Sequence, residues 1–146
     1  MPEQDYRIIS RPELTPVEID QLESELYAFN AKRTGFHDGE GLGFLIDRDG
    51  ARVGAVAGYT WGGICELRQV WVREDCRGQG LGSTLIQAAI FEARRRGCSY
   101  IFLSTYDFQA PAFYRRFDFE QIAEIKDKPL GHTEFIFRKS LTQDER

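Results

Sequence analysis

Apolar residues recur at helical spacing along the first part of the chain and at strand spacing through its middle, and this change of period sets the order of elements. Ile19, Leu22, Leu26 and Phe29 stand three and four residues apart and form one stripe on a helix. Thr15-Pro16-Val17-Glu18 opens that helix with a capping-box pattern and a proline at the first helical position, so a helix is expected from here to about Ala31. Ahead of it, Tyr6 to Ser10 reads as a short first strand. Lys32 to Gly43 has glycines at 35, 39, 41 and 43 and no apolar period, and reads as a loop or frayed helix of the kind that shapes a pocket.

Phe44 to Asp47 and Arg52 to Thr60 flank the hairpin signal Asp49-Gly50, and Gly62-Gly63 turns the chain again into a strand over Ile64 to Val72. After a glycine-rich run, Leu81, Leu85, Ile86, Ala89, Ile90 and Ala93 share the face of a second long helix that Gly97 ends. Tyr100 to Tyr106 is nearly continuous in β-formers, which suits a central strand covered on both faces and parallel to the one before it. A short helix from about Gln109 to Phe117 and strands near Phe119 to Ile125 and Glu134 to Lys139 complete an α/β order with no internal repeat.

Composition bounds the picture without changing it. The 146 residues, 42% hydrophobic and 29% charged, suit one folded domain over 1–146, with a core over about 6–141 and a charged, mobile tail from Ser140. A net charge of −4 argues against nucleic acid as a partner, so any basic site is local. Cys65, Cys76 and Cys98 have neither CxxC spacing nor a histidine at ligand spacing, which supports reduced thiols and no metal site. The polar, acidic start and the lack of a long apolar run argue for a cytoplasmic protein with no membrane partner.

The candidate chemistry lies in Arg77-Gly78-Gln79-Gly80-Leu81-Gly82, between a strand and a helix. Glycines remove side chains where a ligand touches the backbone, and a helix start offers free N–H groups and a dipole that favour an anion such as a diphosphate. The third glycine of a dinucleotide fingerprint would fall at Ser83, and no Gly-Lys-Ser/Thr follows, so neither a Rossmann site nor a nucleotide-hydrolysing P-loop is supported. Taken alone, the run is equally compatible with glycines that only let helix and strand pack closely.

The surroundings carry more. Val70-Trp71-Val72-Arg73-Glu74-Asp75-Cys76-Arg77-Gly78-Gln79-Gly80-Leu81-Gly82 resembles the signature Gln/Arg-x-x-Gly-x-Gly/Ala of the GNAT superfamily of N-acetyltransferases, matched at Arg77, Gly80 and Gly82. Asp107-Phe108-Gln109-Ala110-Pro111-Ala112-Phe113-Tyr114-Arg115-Arg116-Phe117-Asp118-Phe119 is similar to the family's second signature, with Asp107 in place of the usual Asn and Asp118 in place of the usual Gly. The resemblance implies a single α/β domain whose mixed, mostly antiparallel sheet splays into a V between the fourth and fifth strands, with helices on both faces. It also implies acetyl-CoA as co-substrate and no metal.

On that pattern the cofactor lies along Val70, Trp71 and Val72 with its pyrophosphate on Arg77, Gly78, Gln79, Gly80, Leu81, Gly82 and Ser83, where Arg77 is either a phosphate partner or a solvated cation. Tyr114 protonates the leaving thiolate. Glu66, a charged residue in an apolar strand, is either the base for the amine or the partner of Arg68 in an ion pair. The expected activity is acetyl transfer to a primary amine of a small molecule or peptide. Its rivals are a non-catalytic CoA-binding module and an acyltransferase with another acyl donor or an oxygen acceptor. Acidic residues Asp38, Glu40, Asp47 and Asp49 would suit a cationic amine, or are solvated loop charges. Phe36, His37, Trp61 and His132 are candidate pocket borders without assigned chemistry, and self-association into a homodimer is left open.

Overall fold

The computed structural model describes residues 5–142, which fall into two compact units, one ending at Phe36 and one beginning at His37. The expected mobile tail does not begin at Ser140, because Ser140 still pairs with Tyr100 and Leu141 is buried in the core; residues 143–146 lie outside the described residues, as do the first four of the polar N-terminus.

In the first unit α1 spans Pro16–Thr34. The capping box forms as its sequence predicts: Glu18 N donates to Thr15 Oγ1 at 3.2 Å, and Thr15 N donates to Glu18 Oε1 at 2.9 Å. The helix runs three residues past its expected end at Ala31 because Lys32 and Arg33 suit a helix C-terminus and the stop is Gly35, left-handed at φ +80° with its amide on Ala31 O. One expectation fails here, and one apolar face is left uncovered. Residues 6–10 form no strand, and the stripe Ile19, Leu22, Leu26 and Phe29 is exposed. The physical reason is the same for both: a strand needs a ladder partner and an amphipathic face needs a second element, and the described part of this unit supplies neither.

The second unit is built on six strands: β1 Glu40–Arg48, β2 Ala51–Trp61, β3 Ile64–Val72, β4 Tyr100–Tyr106, β5 Glu120–Lys126 and β6 Thr133–Ser140. They lie in the order β1-β2-β3-β4-β6-β5, antiparallel at every pairing except β3–β4. Gly41 and Gly43, expected in a loop, belong to β1, because β2 offers that stretch a full ladder from Glu40↔Thr60 onward. Both two-residue hairpins have positive φ at each turn residue, Asp49-Gly50 and Gly62-Gly63, the backbone that matches strand twist.

Helix α2, Leu81–Arg95, buries Leu85, Ile86, Ala89, Ile90 and Ala93 against Cys65 and Leu67 of β3, Val56 of β2 and Ile101 and Leu103 of β4. Each large side chain buried this way contributes roughly 1.5–3 kcal/mol relative to exposure. At the helix end Arg96, whose side chain is 14% exposed, donates to Glu92 at 2.7 Å, to Thr60 Oγ1 at 2.9 Å and to Gly41 O at 3.0 Å, tying α2 to the start of β1 and the end of β2.

Two features of β3 position the site. Ala57 pairs with Gln69 but Gly58 pairs with Leu67, so Arg68 is the extra residue of a bulge. A Cβ at Gly58 would stand 2.4 Å from Glu66 O, which is why that position must be glycine. The bulge moves Val70 and Val72, rather than Gln69 and Trp71, onto the core face with Cys65 and Leu67. The second feature is the splay. β3 pairs with β4 only from Ile64 to Glu66, opposite Tyr100 to Phe102, and the two strands then part. Because the expected first strand is missing, the V lies between the third and fourth strands of the sheet.

Candidate active site

The V is filled by a cavity of about 550 Å³. One wall is Val70, Trp71 and Val72, with Ser104 and Thr105 of β4 opposite, the glycine run and the start of α2 at one end, and helix α3 (Pro111–Arg116) along the side. Arg73 N donates to Val53 O at 2.8 Å, and the alternation of an antiparallel ladder then turns the backbone groups of Val72 and Val70 away from β2 and toward the open edge. Arg77 Nε reaches Val72 O at 3.0 Å from that side.

The glycines serve different needs. Gly78 and Gly80 are left-handed, at φ +77° and +83°, and Gly80 caps α2. Gly82 has ordinary backbone, and its need is space: a Cβ there would sit 3.3 Å from Cζ of Phe113. The first amide of α2 with an acceptor is Thr84, on Gly80 O at 3.0 Å; those of Leu81, Gly82 and Ser83 have none among the described residues. Three free donors at the positive end of a helix, with no carboxylate among the lining residues, fit a diphosphate.

Tyr114 completes the cavity from α3. The residue is 7% exposed, and its ring is held edge-on by Phe113 and Phe119, with centroids 5.2 and 5.7 Å away. The hydroxyl makes no hydrogen bond to a described residue, and no fully buried side-chain oxygen among them lacks a partner, so it reaches open space, and the space beside it is the cavity. Burial pushes this phenol up to about 12.

A family model for the acetyltransferase (GNAT) family matches residues 5–119. The chain belongs to the GNAT acetyltransferase family. Among proteins it resembles is the blasticidin-S acetyltransferase of Streptomyces morookaense, 38% identical over 93 residues that cover 63% of this chain and 68% of that one. A candidate acetyltransferase solved from Agrobacterium tumefaciens superposes with a TM-score of 0.83 at 26% identity, over 92% of this chain and 99% of that one. An aminoglycoside 6′-N-acetyltransferase solved in complex with coenzyme A shares the fold, with a TM-score of 0.64 at 16% identity over 96% of this chain and 100% of that one.

In this GNAT domain the expected cofactor residues converge on the cavity, all but Gln79, whose side chain accepts from Arg48 at 2.9 Å. Glu66 does not line it. It sits where β3 and β4 stop pairing, with Arg68 Nε 3.3 Å from its Oε1. Asp107, where GNAT chains usually carry Asn, faces the β5–β6 connection and accepts from Thr133 N and His132 Nδ1, both at 2.9 Å. Burial pushes that carboxyl up, but the bonds from Thr133 and His132 outweigh it and leave Asp107 below its usual range. Asp118 adopts the left-handed turn of the glycine it replaces, at φ +64°.

Three of the four acidic residues singled out in the sequence are engaged: Asp38 accepts from Gly62 N at 3.0 Å, Asp47 pairs with Arg52, and Glu40 lies 3.6 Å from Arg96, while Asp49 sits in the hairpin turn. Ser104, Thr105, Phe108, Gln109 and Arg116 line the cavity and were not expected there. The residue types of the first two carry no such signal; they line the cavity because they stand on β4 just past its last pairing with β3. No helix of the described residues is long and apolar enough to cross a membrane.

Proposed function

We propose that this GNAT chain transfers an acetyl group from acetyl-CoA to a primary amine of a small molecule or peptide, directly, with both substrates bound. The observation that carries the reading is that one cavity joins three acceptorless amides, the open edge of β3 and the Tyr114 hydroxyl. The coenzyme A held by a protein of the same fold supports it. Acetyl-CoA supplies the activated acyl group and the diphosphate that anchors it. The amides of Leu81, Gly82 and Ser83 hold the anion, the outward backbone of Val70 and Val72 binds the pantetheine arm as an added strand does, and the Val70 amide stabilises the negative charge that develops on the thioester oxygen.

The amine nitrogen bonds to the carbonyl carbon as the carbon–sulfur bond breaks. Tyr114 gives its proton to the departing thiolate, and its high pKa keeps it protonated at every working pH. Glu66, at the apex of the V, takes the amine proton directly or through water. The Arg68 contact favours a second reading of Glu66 as a structural ion-pair partner.

Thiol release from acetyl-CoA over a panel of amines, antibiotics included because a relative is named for one, tests the whole reading. With a working acceptor, Tyr114→Phe should lower kcat about 100-fold or more with little change in the KM for acetyl-CoA. Full activity in that variant sinks the acid assignment, and binding without turnover on any amine favours a non-catalytic CoA-binding module. Glu66→Gln separates the two readings of Glu66: a base predicts a collapse of kcat, an ion pair only a small shift in Tm.

A further inference from the structure

Two charged residues line the cavity, Arg77 and Arg116, so a chain of net charge −4 holds a locally positive site. They differ in what they have left to give. Arg77 spends its Nε on Val72 O. Arg116, in the last turn of α3, lies over the Phe113 ring at 5.7 Å and has neither a hydrogen bond nor an ion pair with any described residue. Its neighbour Arg115 points elsewhere, over Phe137 at 5.3 Å and onto Gln121 Oε1 at 3.2 Å. The Phe113 ring that carries Arg116 meets Gly82 with its tip, at 3.3 Å from where a Cβ would stand, so a single ring separates the Arg116 guanidinium from the amides of the loop.

Resting on the acyl-CoA reading above, we infer that Arg116 recognises the 3′-phosphate of coenzyme A and makes this chain discriminate CoA from 3′-dephospho-CoA. The loop amides account for the diphosphate and leave the phosphate monoester on the adjoining ribose without a partner. That group is doubly charged, hangs one sugar away from the diphosphate, and needs a cation at about that remove from the loop. A guanidinium placed over an aromatic ring, always charged and with its donors unspent, presents a planar fork to such a group. Burial is not required of it, because the neighbouring diphosphate fixes the phosphate in place.

Calorimetric titration with CoA and with 3′-dephospho-CoA, on the wild-type chain, Arg116→Gln and Arg116→Lys, tests this. The wild type should bind CoA at least ~10-fold more tightly than the dephospho form. Arg116→Gln should remove that preference by weakening CoA alone, Arg116→Lys should keep part of it, and the preference should shrink as salt rises. The side chain is exposed, so an unchanged apo Tm certifies the fold of each variant. Equal affinity of the wild type for both nucleotides, or equal weakening of both in Arg116→Gln, overturns the inference and leaves the acyl-CoA reading standing. Binding of neither nucleotide by the wild type overturns both.

Discussion

Helices α1 and α2 announce themselves in the sequence with equal clarity and meet different ends. Each has an apolar stripe at spacings of three and four; α1 has the better start, a full capping box, while α2 begins on a glycine with no side-chain cap. Yet Leu85 and Ile86 are almost wholly buried and Leu26 and Phe29 are exposed. Periodicity and caps determine that a helix forms and which side is apolar. What that side meets depends on elements distant in sequence, and for α2 these are the faces of β2, β3 and β4. The uncapped start of α2 also has a use, since it leaves free the amides that a capping side chain would have taken.

The largest effect expected from this contrast is on stability. Leu85→Ala, which empties a site in the core, should cost about 2–5 kcal/mol, whereas Leu26→Ala on α1 should stay within about 0.5 kcal/mol. Paired urea melts read both, and comparable losses would mean that the α1 stripe is buried in solution. A smaller effect should appear at the far end of α2. Hydrogen bonds from Arg95 and Arg96 hold the Glu92 carboxyl at about 2, below the ordinary 4.5. A lowered folded pKa means that this stabilisation is complete above about 4.5 and lost as pH falls toward about 2. Glu92→Gln should therefore lower Tm near neutrality and flatten its decline over that acid range; an unchanged slope would show that the clamp through Arg96 does not depend on the carboxylate.

The same contrast explains how much could be read beforehand. The second unit was legible almost strand by strand, because its alternation, its two hairpin turns and the stripe on α2 agree with one another and with local contacts. The strand at Tyr6 to Ser10 was misread, since a short run with β-formers at Tyr6, Ile8 and Ile9 carries no information about whether a ladder partner exists. Of the site, the glycine run and Tyr114 were visible because their chemistry is tied to residue type. Ser104 and Thr105 were not, being placed by the parting of two strands rather than by what they are. Gln79 stands inside the motif, yet its side chain bonds to Arg48, 31 residues away in sequence, a contact no local pattern encodes. Arg116 was hidden in plain composition as one of the chain's 19 basic residues, distinguished only by the ring beneath it and the cavity beside it.

The claim on which the rest stands is that the amides at the start of α2 hold the pyrophosphate of acetyl-CoA, and thermal protection of the wild type and Gly80→Asp tests it most directly. A saturating ligand at about 100 times its Kd stabilises the folded state by about 2.7 kcal/mol, which the wild type should show as a raised Tm. In Gly80→Asp, a carboxylate at the left-handed cap adds about 1–2 kcal/mol of backbone strain and places negative charge beside the phosphates. The variant should still fold, with a modestly lower apo Tm, and should gain no protection from acetyl-CoA. Protection equal to that of the wild type would contradict the assignment of the loop.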